Sequence, residues 1–243
     1  MENTILSRAP SRDFTASPPS SRRGFLGLSL GGVATLALAG CASYQGYSFT
    51  EAIRRLLTIA SQDAFEQLLA PGGFYDDQLA RLSVDEVLGN RGGVLARILG
   101  STIVRERMMR EFNRIAAEGA YRAAPVVADT IRIVGFENAV ALVSGEPTAA
   151  TGYLRTNMGS RLIDVMLPEV SDALRVIDDP VLGPALSELS GVNLSGVADS
   201  LTRRTEDAIW SAIGREEAAI RADPYATNDP VLIGVFGARN AVR

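Results

Sequence analysis

The chain contains no histidine and no lysine, and its single cysteine is Cys41. These absences close off whole classes of chemistry. A Ser-His-Asp or Cys-His nucleophile system has no base. A zinc site built from histidine or cysteine has too few donors, a Schiff-base lysine is impossible, and no disulfide can close within the chain. Carboxylates, hydroxyls, arginines and backbone amides are what is left. A carboxylate-pair hydrolase stays chemically open and would need two carboxyls about 5–10 Å apart. A carboxylate-bound Ca²⁺ or Mg²⁺ also stays open, yet no EF-hand loop and no phosphate-binding G-x-x-x-x-G-K-[ST] occurs. The formal charge is −4, with arginine as the only cation. That balance argues against nonspecific nucleic-acid binding, which needs an excess of phosphate-neutralising cations. We therefore expect no catalytic residue, no cofactor, no metal ligand and no nucleic-acid partner.

What is present begins with an address. Arg22 and Arg23 precede an uncharged apolar run, Phe25 to Ala39, that ends in small residues. Basic, then apolar, then small is the order of a secretory signal. As a helix the run would measure roughly 22 Å, short of the roughly 30 Å of bilayer hydrocarbon. Ser21-Arg22-Arg23-Gly24-Phe25-Leu26 resembles the twin-arginine export signal of bacteria, with Gly27 where a lysine is common. Leu38-Ala39-Gly40-Cys41 resembles the bacterial lipobox, in which the chain is cut before the cysteine and the thiol is acylated. An ordinary signal peptide with a chance cysteine, or an uncleaved anchor, is the alternative. On this reading residues 1–40 are a cleaved leader, Cys41 is the lipid attachment point, residues 41–48 are a tether and residues 49–243 form one helical domain. Ala42 after the cysteine, by the same resemblance, points to the outer membrane.

The rest of the chain carries helical periodicity. Phe49, Ala52, Ile53, Leu56, Ala60, Ala64 and Leu68 recur at three- and four-residue spacing, predicting a helix over 51–69 with Thr50 as its N-cap. Pro71-Gly72-Gly73 breaks it. Residues 78–100 suggest short helical pieces. Val104, Met108, Phe112, Ile115, Gly119, Ala123, Val127 and Ile131 form the longest stripe, with Pro125 predicting a kink or two helices. Glu106 with Arg110, and Glu118 with Arg122, are spaced as intrahelical ion pairs. Further helices are expected over 137–144, 147–158 and 160–178, in a short piece after Asp179-Pro180, and from Ser195 or Asp199 to Asp223-Pro224. The apolar tail at 229–237 is expected to fold back. Asp76, Asp77, Asp85 and Glu86 are better read as solvated acids than as a cation site. No period-2 pattern builds a sheet. The fold expected is all-α, one bundle of about seven or eight helices with short loops.

Several stretches appear together in one order: Gly73 to Asp77, Met109 to Glu118, Glu137-Asn138-Ala139, Ala149 to Arg155, Asp207 to Trp210, Glu216 to Pro224 and Val235 to Gly237. This set resembles the bacterial domain of unknown function 4197 family over nearly all of the chain after Cys41. The resemblance implies a mostly helical exported protein and supplies no catalytic residue. Two functions compete. One is a non-enzymatic envelope lipoprotein, a structural or interaction module with a protein partner. The other is a small-ligand or lipid-binding bundle in the periplasm, with Asn113, Arg114, Tyr153 and Arg155 lining a polar pocket.

Overall fold

A computed structural model describes residues 48–89, 100–177, 182 and 194–237. Cys41, Arg22 and Arg23 lie outside these residues, as do the apolar stretch at 94–99 and most of the short piece expected after Asp179. The described residues contain nine α-helical segments and no strand, which agrees with the all-α expectation.

Helix α1 (Phe49–Leu69) starts two residues earlier than the spacing suggested. Ser48 is the N-cap, its hydroxyl accepting from the Glu51 amide at 3.0 Å. Ala52, Ile53, Leu56, Ala60, Ala64 and Leu68 are buried as expected, whereas Phe49 stays partly exposed on the first turn. Two short helices follow, α2 (Gly73–Asp76) and α3 (Val84–Leu88). In α3, Ser83 and Glu86 satisfy each other's backbone amides in a capping box.

Helix α4 (Thr102–Ile133) is one continuous element, so of the kink or two helices expected at Pro125 the division into two helices does not occur. Pro125 sits on the exposed face, while Ala123 and Val127 on either side of it are buried. The carbonyl it leaves without a donor, that of Tyr121, belongs to an exposed residue that water can serve. The stripe from Met108 to Ile131 is buried as read from the sequence. Glu106 pairs with Arg110 at 3.3 Å. Glu118 instead meets Arg114, and Arg122 reaches across to Glu169 at 2.9 Å. At Gly119 an added Cβ would lie 3.2 Å from Val170 and 3.7 Å from Met166, so the small residue sets the approach of the next long helix.

Helices α5 (Ala139–Ser144), α6 (Ala149–Met158) and α7 (Arg161–Arg175) follow. Asn138 precedes α5 with φ 58°, a left-handed conformation that asparagine tolerates. Pro168, like Pro125, lies on an exposed face and does not interrupt α7. Helix α8 (Leu194–Ala222) buries Leu201, Ile209, Trp210, Ala212, Ile213 and Ile220. The tail forms a 3₁₀ turn (Pro224–Thr227), then α9 (Pro230–Leu232) and a π turn (Ile233–Gly237), with Val231, Leu232 and Phe236 buried. It does fold back, as helical turns.

The two longest contacts of α1 are with α8 and α4. Arg54 near the start of α1 donates to the Ile131 carbonyl near the end of α4, so these two helices run antiparallel. Gln67 and Asp229 tie the two ends of α1 to Glu216 and to the C-terminal turns, through Gln67–Glu216 at 2.9 Å and Arg55–Asp229 at 2.9 Å. No described helix is long and apolar enough to cross a membrane.

Candidate functional site

Two places gather the residues that the sequence singles out. The first is a joint between three helix ends. Helix α6 has no side-chain cap of its own at Thr148. Its second and third amides, Ala150 and Thr151, donate to the two carboxylate oxygens of Glu217 at 3.0 and 2.7 Å. Glu217 comes from α8 and is 0% exposed. Its charge sits where the positive end of the α6 dipole favours an anion. One turn on, Arg221 binds the same carboxylate at 2.7–2.8 Å. The rest of its guanidinium donates to the Leu142 and Val143 carbonyls, both at 3.0 Å, at the negative end of α5. The guanidinium also lies 4.9 Å from the centre of the Phe236 ring. One i,i+4 pair on α8 thus caps the end of α5, the start of α6 and the C-terminal turn.

The second place is a cleft of about 400 Å³ between the turn after α1 and the first half of α4. Gly72 adopts φ +80°, and an added Cβ on Gly73 would stand 2.2 Å from the Gln67 carbonyl oxygen. Only glycine lets the chain double back this tightly across the end of α1. The turn presents Phe74 and Tyr75 to α4, where Arg110, Asn113, Arg114 and Ala117 form the facing wall. The Tyr75 ring lies 5.7 Å from the Arg110 guanidinium and 5.0 Å from that of Arg81. Both wall arginines are already paired, Arg110 with Glu106 and Arg114 with Glu111 and Glu118. The hydrogen bond to Glu111 raises the Arg114 pKa against the effect of burial, so this cation stays charged. The cleft therefore joins apolar walls to a charge-balanced rim, which suits a mostly apolar guest with a polar end better than a free anion.

Residues 43–237 match a family described as protein of unknown function (DUF4197). The chain belongs to that family. No curated protein and no solved structure matches it.

Five of the seven stretches singled out in the sequence gather at these two places. Gly73 to Asp77 and Met109 to Glu118 face each other across the cleft, while Ala149 to Arg155, Glu216 to Pro224 and Val235 to Gly237 meet at the joint. The polar pocket proposed from four residues is only half assembled. Asn113 and Arg114 line the cleft, but Tyr153 and Arg155 do not. Tyr153 donates to the Gly135 carbonyl at 2.6 Å, and Arg155 binds Asp207 at 2.6 Å. Asn113 itself is turned inward. It accepts from the Leu82 amide at 2.9 Å and donates to the Leu82 and Met109 carbonyls, clamping the loop before α3 onto α4. The four acids considered as a cation site are dispersed. Asp77 binds Arg215 at 2.6 Å, Asp85 meets Arg105, and Glu86 caps α3. Among the described residues no group of three acids is gathered as a metal would need.

Sequence reading missed Glu217 and Arg221. The signal was an acid on an apolar stripe, four residues after Ile213 and three before Ile220. A charge at such a position is almost never buried unless paired.

Proposed function

We propose that this chain is an envelope lipoprotein, exported through a signal centred on Arg22 and Arg23 and held at the membrane by an acylated Cys41. Its helical body is a non-enzymatic structural or interaction module. The observation that supports this reading is how the polar groups of the family stretches are used. Glu217, Arg221, Asn113, Tyr153 and Arg155 each bind another helix or loop of the same body. They act as connectors that keep the body rigid while its surface does the work.

The test is to express the full chain in a Gram-negative bacterium fed an alkyne analogue of palmitate. Wild type takes up the label and Cys41→Ser does not. Replacing Arg22 and Arg23 by lysine leaves the full-length precursor inside the cell. Equal labelling of Cys41→Ser rejects the anchor. Turnover of an envelope component by the purified protein rejects the non-enzymatic reading.

The cleft supports a second reading, a binding bundle for a small amphipathic ligand, because its apolar walls and Arg110–Tyr75 rim lie where two of the family stretches meet. Native mass spectrometry of protein released gently from envelopes decides it. A bound species of fixed mass that is lost in Ala117→Trp, which would fill the cleft, supports the ligand. An empty protein rejects it.

A further inference from the structure

We infer that the end of the bundle bearing Phe49, Ile133 and Val140 is a lipid-facing surface that rests on the membrane to which the chain is tethered. The inference builds on the anchor proposed above and adds which face of the body meets the bilayer. These three are large apolar side chains left 36%, 76% and 60% exposed. They belong to three different helices that converge at one end. The antiparallel pairing of α1 and α4, marked by the Arg54 contact to Ile131, brings the start of α1 beside the end of α4. Phe136, between Ile133 and Val140, lies under the Arg54 guanidinium at 5.6 Å, and α5 packs on α1.

What identifies the occupant is where the tether enters. Cys41 precedes Ser48 by seven residues, a reach of at most about 25 Å. The first turn of α1 therefore cannot leave the neighbourhood of the bilayer, and Phe49 is on that turn. A tethered contact is intramolecular, so even a weak apolar contact suffices to orient the body. Charge does not supply the attraction. The cations at this end are paired, Arg54 and Arg55 with Glu51, Arg55 also with Asp229, and Arg132 with Asp129. Among the described residues no unpaired basic cluster is seen at this end, and insertion of apolar side chains into the headgroup boundary is the available mechanism. Ile103, at the opposite end of α4, is about 45 Å away along the helix axis and should stay in water.

The experiment uses the full chain, acylated in cells with the alkyne label and reconstituted into phosphatidylethanolamine–phosphatidylglycerol vesicles. Acylated Cys41 no longer offers a thiol, so Ile133→Cys, Val140→Cys and Ile103→Cys each present one reactive site for an environment-sensitive fluorophore. All three positions are exposed, and circular dichroism checks that folding is unchanged. The expected result is a blue shift and quenching by nitroxide lipids at 133 and 140, with neither at 103. Acylated protein whose probes at 133 and 140 read water, or whose three probes behave alike, overturns the orientation and leaves the anchor standing. Protein that carries no acyl label overturns the anchor, and the orientation with it.

Discussion

Replacing Glu217 by alanine tests the reasoning about the helix joint most severely. The substitution removes the acceptor of the Ala150 and Thr151 amides and the partner of Arg221, whose side chain is only 9% exposed. Breaking one side of a buried ion pair typically costs about 3–5 kcal/mol, because the surviving charge is left in a poor solvent. Two orphaned amides would add about 1–3 kcal/mol each if nothing relaxed. The contributions do not add, since Arg221 keeps the Leu142 and Val143 carbonyls and the Phe236 ring. We expect a net loss of about 3–5 kcal/mol, read as a lower midpoint in urea unfolding with an unchanged slope. Glu217→Gln keeps one amide acceptor and should lose less. The double variant Glu217→Leu with Arg221→Met should lose less than the sum of the two single truncations, because no charge is left buried. Arg132→Ala, which breaks only an exposed pair with Asp129, is the control and should stay within about 0.5 kcal/mol. If Glu217→Ala falls in that control range, the carboxylate is not what joins α6 to α8.

Asn113→Ala should cost about 2–3 kcal/mol in the same assay, because the Leu82 amide and carbonyl lose their partners; local hydrogen exchange should rise first at residues 79–88. Gly73→Ala should cost about 3 kcal/mol, the upper end for overpacking, since its new methyl meets the backbone oxygens of Gln67 and Leu68 at 2.2 and 2.5 Å; a loss below 1 kcal/mol would mean the turn is not closed as described. Two acids should give opposite pH signatures. Burial pushes the Asp229 carboxyl up, but hydrogen bonds from Arg55 and from the Leu232 and Val231 amides outweigh it and leave the pKa below 3.8. Asp229 therefore contributes stability that is present above pH 3.8 and is lost as the pH falls further through its folded value, and Asp229→Asn should remove that acid-side loss. Asp63 is raised above 3.8, first by burial and then by Glu216 and Glu66. Its charged form opposes folding at neutral pH, and the penalty fades as the pH falls through the raised value to 3.8. Asp63→Asn should thus stabilise modestly at pH 7 and not at pH 3, and equal effects at the two pH values would refute the assignment.

The long helices were legible because burial on one side imposes a 3.6-residue stripe, and α1, α4 and α8 each show one. Proline did not mark a helix boundary inside α4 or α7. Pro125 and Pro168 face solvent, where water can serve the carbonyl each leaves without a donor, and α4 and α7 continue through them. The start of α6 was misplaced by two residues for a related reason. Pro147 is suited to a first helical turn, yet the cap comes from Glu217, a residue 67 positions away from Ala150. No local pattern can announce a partner at that distance. Half of the expected pocket failed in the same way. Asn113 and Arg114 lie on α4 and line the cleft, whereas Tyr153 and Arg155 lie on α6 and are engaged by Gly135 and Asp207.

The stretches singled out in the sequence mostly serve to join helices in the structure. Gly73 closes a turn, Asn138 supplies a left-handed residue, Asn113 clamps a loop, Glu217 and Arg221 serve helix ends, and Arg155 with Asp207 ties α6 to α8. The surfaces these joints leave free include the cleft facing Tyr75 and the apolar end at Phe49, Ile133 and Val140. These two places lie at opposite ends of α1. If the apolar end meets lipid, the cleft lies at the end of α1 away from that contact, open to a partner or ligand arriving from the aqueous side.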